Sequence, residues 1–201
     1  MKKLLVAFAV IGVSACILGG CATKNPPNNT TETDNYDALN QMLDANYSKL
    51  ELTVTDTFDE DTYLVSKYTI VYAEKFVSVN YSVEQFVEIS LDNPSSSVKT
   101  TLSGVAVIKD GEITFQGQEI EISSNIVKPN LTFKGEYFNN AQLTDNSLSA
   151  GVKNVEGFIG SEVVCSGMTV EAEFMEVFND IKINYTSESG SQVEYYYDFT
   201  L

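Results

Sequence analysis

The stretch "FVSVNYSVEQFVEISL", residues 76–91, decides the fold class. Val77, Val79, Tyr81 and Val83 fall on alternate positions, and Val87 and Ile89 continue an apolar series further on. Ser78, Asn80, Ser82 and Glu84 take the positions between them. Successive side chains of a strand point to opposite faces, so a period of two reads as a strand with one apolar and one wet face. The pattern also fixes the register. A slip of one residue would bury Ser78, Asn80, Ser82 and Glu84, and an unpaired buried Glu84 would be costly.

The same period extends outward in both directions. Leu50, Leu52 and Val54 alternate with Glu51, Thr53 and Thr55, and "YLVSKYTIVYAEK" (63–75) is rich in strand-forming residues. "VKTTLSGVAVIKDGEITFQG" (98–117) reads as a hairpin turning at Asp110-Gly111. "EIEIS" (119–123) and "LTFKGEYF" (131–138) continue the strand pattern. Residues 139–167 are richer in Asn, Ser and Gly and hold loops with one or two strands. "MTVEAEFMEVF", "DIKINYTS" and "QVEYYYDFTL" then predict a three-stranded meander up to residue 201. One helix is legible: Tyr36, Leu39, Leu43 and Tyr47 share a face behind an Asp34 or Asn35 cap, and the pattern ends near Asn46. About nine to eleven strands and one helix imply a mainly β fold: a large curved antiparallel sheet, or a β-sandwich or half-barrel, with one N-terminal helix.

The start of the chain has a different grammar. Met1-Lys2-Lys3 precedes an apolar run from Leu4 to Val13, the layout of a secretory signal, and Gly12, Ser14, Gly19 and Gly20 dilute the uncharged run as it continues to Gly20. Leu18-Gly19-Gly20-Cys21 resembles the lipobox of bacterial lipoproteins. That resemblance implies a diacylated Cys21 thiol, cleavage before it, and anchoring at the extracytoplasmic face of the cell membrane. Val13-Ser14-Ala15-Cys16 also fits the pattern; Leu three residues before the cysteine favours Cys21. The expected organisation is a signal peptide at 1–20, a lipidated Cys21 with a tether to residue 35, and one β-rich domain at 36–201. "ATKNPPNNTTETDN" (22–35) is polar and stiffened by Pro26-Pro27, and fully stretched it would span about 45–50 Å.

Composition excludes much. The 201 residues carry a formal charge of −16 with no His and no Trp, and all 12 basic residues are Lys. Losing Lys2 and Lys3 leaves 10 basic against 28 acidic residues, a charge of −18. Such a surface repels phosphate backbones, so no nucleic-acid partner is expected, and an anionic bilayer would repel it too, leaving anchorage to the acyl chains. Without histidine there is no Ser-His-Asp or Cys-His catalysis and no imidazole-bound zinc. With Cys16 removed and Cys21 lipidated, Cys165 stands alone and is read as a small buried hydrophobe. No enzyme activity, metal or cofactor is expected.

Three groups of residues merit location in space. Asp56, Asp59, Glu60 and Asp61 cluster in "DTFDEDTY" without calcium-loop spacing and read as a solvated turn. Glu119 and Glu121, two apart, would share a strand face. Tyr195-Tyr196-Tyr197, with Tyr185, Tyr81, Tyr72, Tyr68 and Tyr63, could serve a sheet core or a binding surface, since tyrosine is amphipathic. One helix before long antiparallel strands, behind a lipobox and tether, is similar in outline to lipoprotein carrier proteins of the LolA and LppX type. That outline implies a curved sheet around an apolar cavity for acyl chains, although helices close the cavity there and only one helix is readable here. The function expected is a membrane-anchored binding module for a lipid, glycan or peptide. The alternative is an assembly lipoprotein of the cell envelope with envelope-protein partners and no small ligand.

Overall fold

A computed structural model describes residues 32–59, 62–89 and 96–201. The 1–20 segment, Cys16, Cys21 and nearly all of the expected tether lie outside them, as do Glu60 and Asp61 of the acidic turn. Helix α1 (Glu32–Leu43) is followed by β1 (Lys49–Asp59), β2 (Thr62–Ala73), β3 (Phe76–Ile89), β4 (Ser96–Lys109) and β5 (Glu112–Gly117). After a long connection come β6 (Phe138–Leu143), β7 (Ser147–Val152), β8 (Cys165–Phe174), β9 (Phe178–Ser187) and β10 (Gln192–Thr200). The ten strands form one antiparallel sheet in the order β5-β4-β3-β2-β1-β10-β9-β8-β7-β6. Each half is a run of consecutive hairpins, and β1 and β10 join the halves at the centre.

This is the large antiparallel sheet with an N-terminal helix that the alternation predicts, and it stays open at both edges. In β3 Val79 and Tyr81 are buried and Val77 packs against the core, while Asn80 is exposed. The Asp110-Gly111 turn joins β4 to β5 as expected. Helix α1 begins at Glu32, ahead of the expected Asp34 or Asn35 cap, and buries Tyr36, Leu39 and Leu43. Tyr47 lies beyond the helix rather than on its face. Its hydroxyl donates to Met42 O (2.8 Å), a carbonyl of the last turn that also accepts from Ala45 N (3.1 Å), and accepts from Phe178 N (3.1 Å), which ties α1 to β9.

Topology sets the rest. β5 and β6 lie on opposite edges of the sheet, so the segment between them, 118–137, has to cross one face. It does so as a strap with a single helical turn, α2 (Ser124–Val127), and a 3-10 turn at Gly135–Tyr137. Residues 119–123 and 131–134 are therefore not strands, contrary to their alternation. Gly117, at φ +105°, turns the chain off the edge of the sheet. Further on, the backbone groups of the strap are taken by other partners. Phe133 N donates to Asn40 Oδ1 (2.8 Å), Asn40 Nδ2 donates to Phe133 O (2.9 Å), and Thr132 N donates to Phe158 O (2.8 Å). Phe158 is buried in a second short helix, α3 (Val155–Ile159), capped by Asn154.

Phe133 sits in an aromatic cluster with Phe138, Phe158 and Phe178, at ring-centroid distances of 6.2, 5.5 and 5.6 Å. Phe138 on β6 and Phe178 on β9 are three strand spacings apart, about 14 Å across a flat sheet. One ring touches both because the sheet curls around the strap. Among the described residues the core forms one connected cluster from Tyr36 to Phe199.

Candidate functional site

The registers lay out the inner face in transverse rows. The deepest crosses Ala106, Val79, Ile70, Leu50 and Phe199, all buried and apolar. The next crosses Gly104, Tyr81, Tyr68, Leu52, Tyr197 and Ile181. A third crosses Leu102, Val83, Ser66, Val54, Tyr195 and Ile183, and a fourth crosses Thr100, Gln85, Leu64, Asp56, Val193 and Tyr185. Polarity rises from row to row, and Asp56 is the single charged side chain in the four.

The strap covers the first rows and leaves space over the middle of the sheet. A cavity of about 310 Å³ lies between the second and third rows and the strap. Leu52, Val54, Met168 and Ile183 form its apolar floor; Ile126 and Leu131 of the strap, with Ile159 at the end of α3 and Val163 after it, form the opposite wall. Tyr68, Tyr185, Tyr195 and Tyr197 line it from the sheet, and Ser123, Asn125, Asn130 and Ser161 supply polar groups from the strap side. Among the described residues no charged side chain borders it. A mostly apolar space with a few convergent polar groups, at the small end of the ligand-pocket range, suits an uncharged or amphiphilic small molecule. A second cleft, about 610 Å³, lies between α1 and the strap, but its lining is mainly polar and includes the Lys128–Asp44 ion pair (2.8 Å).

The tyrosines divide the work. Tyr195 and Tyr197 point inward on alternate positions of β10, while Tyr196 between them is exposed on the outer face. The rings stack in series, Tyr185–Tyr195 and Tyr195–Tyr197 each at 6.3 Å between centroids. Burial pushes the hydroxyls of Tyr68, Tyr185, Tyr195 and Tyr197 above the ordinary phenol value, so all four stay neutral at physiological pH. The hydroxyls of Tyr185 and Tyr195 influence each other, and the charge of Asp56 raises both further. Tyr81 and Tyr72 hold the strap: Tyr81 Oη donates to Gln118 O, and Tyr72 Oη donates to Val127 O. Gly104, opposite Tyr81 on β4, leaves room for that phenol; a Cβ there would collide with its hydroxyl. Tyr63 faces outward and stacks on Phe86.

The remaining sequence candidates do not converge on the cavity. Glu119 and Glu121 are exposed on the strap instead of paired on a strand face. Asp56 lies on the same face of β1 as Leu52 and Val54. Cys165 opens β8, half-buried, and burial pushes its thiol up, opposite to the shift of a nucleophile. Among the described residues no group of three or more His, Cys, Asp or Glu could hold a metal ion, and no helix is long and apolar enough to cross a membrane. What the sequence did not signal is the strap wall, because Ile126, Leu131 and Ile159 carry no pattern that distinguishes a cavity from a filled core. No family model matches the chain, and no curated protein matches it.

Proposed function

We propose that this protein is a lipid-anchored extracytoplasmic binding module that takes a small, largely apolar ligand between its sheet and its strap. The observation that carries this reading is the strap-covered cavity, walled by aliphatic side chains and four neutral tyrosines. Cys21 in Leu18-Gly19-Gly20-Cys21 is the anchor in this reading, with processing before it and the domain held outside the membrane by the polar segment 22–35. The resemblance of the sequence outline to lipoprotein carriers supports the same assignment. A purely structural envelope lipoprotein is less well supported, because such a role requires no unfilled space beneath the strap.

Native mass spectrometry of the chain from residue 22 onward, purified from a bacterial lysate without detergent, tests the proposal. The expected result is a bound small molecule that is lost when Leu131→Trp fills the cavity. A ligand-free wild-type protein that also fails to take up apolar dyes would overturn it. For the anchor, the expected result is that Cys21→Ser abolishes diacylglyceryl modification of the N-terminal peptide. A lipidated peptide beginning at Cys16 would reassign it.

A further inference from the structure

Asp56 is placed as an anchoring group would be. It continues the inward series Leu50, Leu52, Val54 on β1, one row beyond the cavity. Its neighbours across the sheet are Val193 on β10 and Leu64 on β2, neither of which has a side chain that can donate a hydrogen bond. Its Oδ1 is buried and has no hydrogen-bond partner among the described residues. An ionised carboxylate can only accept, and leaving a buried acceptor unpaired is costly, so such atoms in folded proteins ordinarily have an assigned use. The inner-face rows contain no lysine to pair with it. Tyr185 and Tyr195 both feel the charge of Asp56, yet neither donates a hydrogen bond to Oδ1.

We propose that the ligand of this cavity carries a protonated amine, which pairs with Asp56 while its apolar body lies along Tyr195 and Tyr185 into the cavity. This rests on the binding-module reading and names its substrate class. An ammonium group supplies both the missing donor and the opposite charge, and charge-assisted hydrogen bonds are roughly twice as strong as neutral ones. The stacked rings of Tyr185 and Tyr195 can add attraction for a cation. An alcohol would supply a donor without the charge. A carboxylate or phosphate head would meet Asp56 with repulsion, which sets this site apart from one built for anionic lipids.

Titration calorimetry on the chain from residue 22 onward, which contains the core cluster from Tyr36 to Phe199, separates the possibilities. The probes are octylamine, octanol and octanoate, which share one alkyl chain. Octylamine is expected to bind about tenfold or more tighter than octanol, with octanoate weakest. Asp56→Asn should remove the amine's advantage over octanol; Asp56→Ser provides the same test should the first variant fold poorly. Glu171→Gln changes the net charge equally, on the outer face, and should keep the advantage. Equal binding of the three probes would overturn the amine assignment and leave the cavity reading standing. An amine preference that survives in Asp56→Asn would trace to the overall acidity of the chain and would also overturn it. Failure of all three probes to bind would overturn the cavity reading as well.

Discussion

The two halves of the sheet carry the same alternation of apolar and polar residues, yet they are buried differently. In β8, Met168, Val170, Ala172 and Phe174 are all buried and the residues between them exposed. In β2 only Ser66 and Ile70 are buried, and most of the strand is half-exposed. The difference lies in what covers each half. Over β6 to β10 the strap delivers Phe133 into a cluster of rings, with α3 and α1 beside it. Over β2 to β5 it delivers Ile120, Ile122, Ile126 and Val127, none of them buried, and two tyrosine hydroxyls hold it in place. One half is a packed base. The other is a wall along which a thin cover lies, and the cavity sits at the seam. Period-two patterning sorts side chains to a face; it does not say how thick the layer over that face will be.

The largest expected effect probes the packed half. Phe133→Ala removes a fully buried ring from a cluster and should cost about 3–5 kcal/mol, read by denaturant melts. Ile113→Ala, at the exposed edge of the other half, should cost less than about 0.5 kcal/mol. Equal losses would break the comparison. The thin cover is tested next. Tyr81→Phe and Tyr72→Phe each remove one hydrogen bond to the strap and should cost about 1 kcal/mol. The sharper readout is amide exchange: protection should fall at residues 118–127 and persist in β8 to β10. Uniform loss of protection would mean that the strap and base unfold as one unit. Burial pushes the Tyr72 hydroxyl up to about 12, so this donor should remain protonated and the bond intact across the ordinary pH range.

The smallest expected effect lies on the outer face of the base. Glu173, Asp180, Asp198 and Glu51 stand opposite one another across β8, β9, β10 and β1. Burial first, then Glu173 and Asp198, raise the Asp180 carboxyl above its ordinary range. A raised native pKa means that the folded state holds this proton more tightly than the unfolded chain. Ionisation therefore opposes folding: stability falls as pH rises from the unfolded aspartate value, about 3.9, through the raised native value. That loss is complete at pH 7, provided the raised value stays in the acid range. Asp180→Asn should stabilise the protein by about half a kcal/mol at most at pH 7, and by less at pH 3. A gain that is the same at both pH values would trace to packing instead of charge.

Much of this architecture is legible in particular residues. The inward set Val77, Val79, Tyr81 and Val83 is written in "FVSVNYSV", and the β4–β5 hairpin in Asp110-Gly111. Both are local signals, since alternation and turn chemistry act between neighbours in the chain. The strap is where the same reasoning misleads. Ile120, Ile122, Leu131 and Phe133 alternate as strand residues do, and they do turn apolar side chains inward. The backbone groups of the strap, however, find partners elsewhere: Phe133 in Asn40, Thr132 in Phe158, and Gln118 and Val127 in two tyrosine hydroxyls. The candidate site was half visible: the tyrosines stood out as a group, but nothing in the chain said which would line a cavity and which would tie down its cover. Asp56 looked like one acid of an exposed turn, and only its register opposite Val193 and Leu64 turns it inward.

The sequence by itself determined the mainly β class, the helix ahead of the strands, the wet outer face, and the absence of histidine chemistry. These stem from composition and from contacts a few residues apart. The tertiary structure alone decided that two hairpin runs join at β1 and β10. That junction puts β5 and β6 on opposite edges and forces the segment between them across the sheet. The cavity and the isolated Asp56 carboxylate result from that crossing. The physical reason is distance along the chain: Leu52, Leu131 and Tyr197 meet only after the whole sheet has formed, and no local pattern encodes the space left between them.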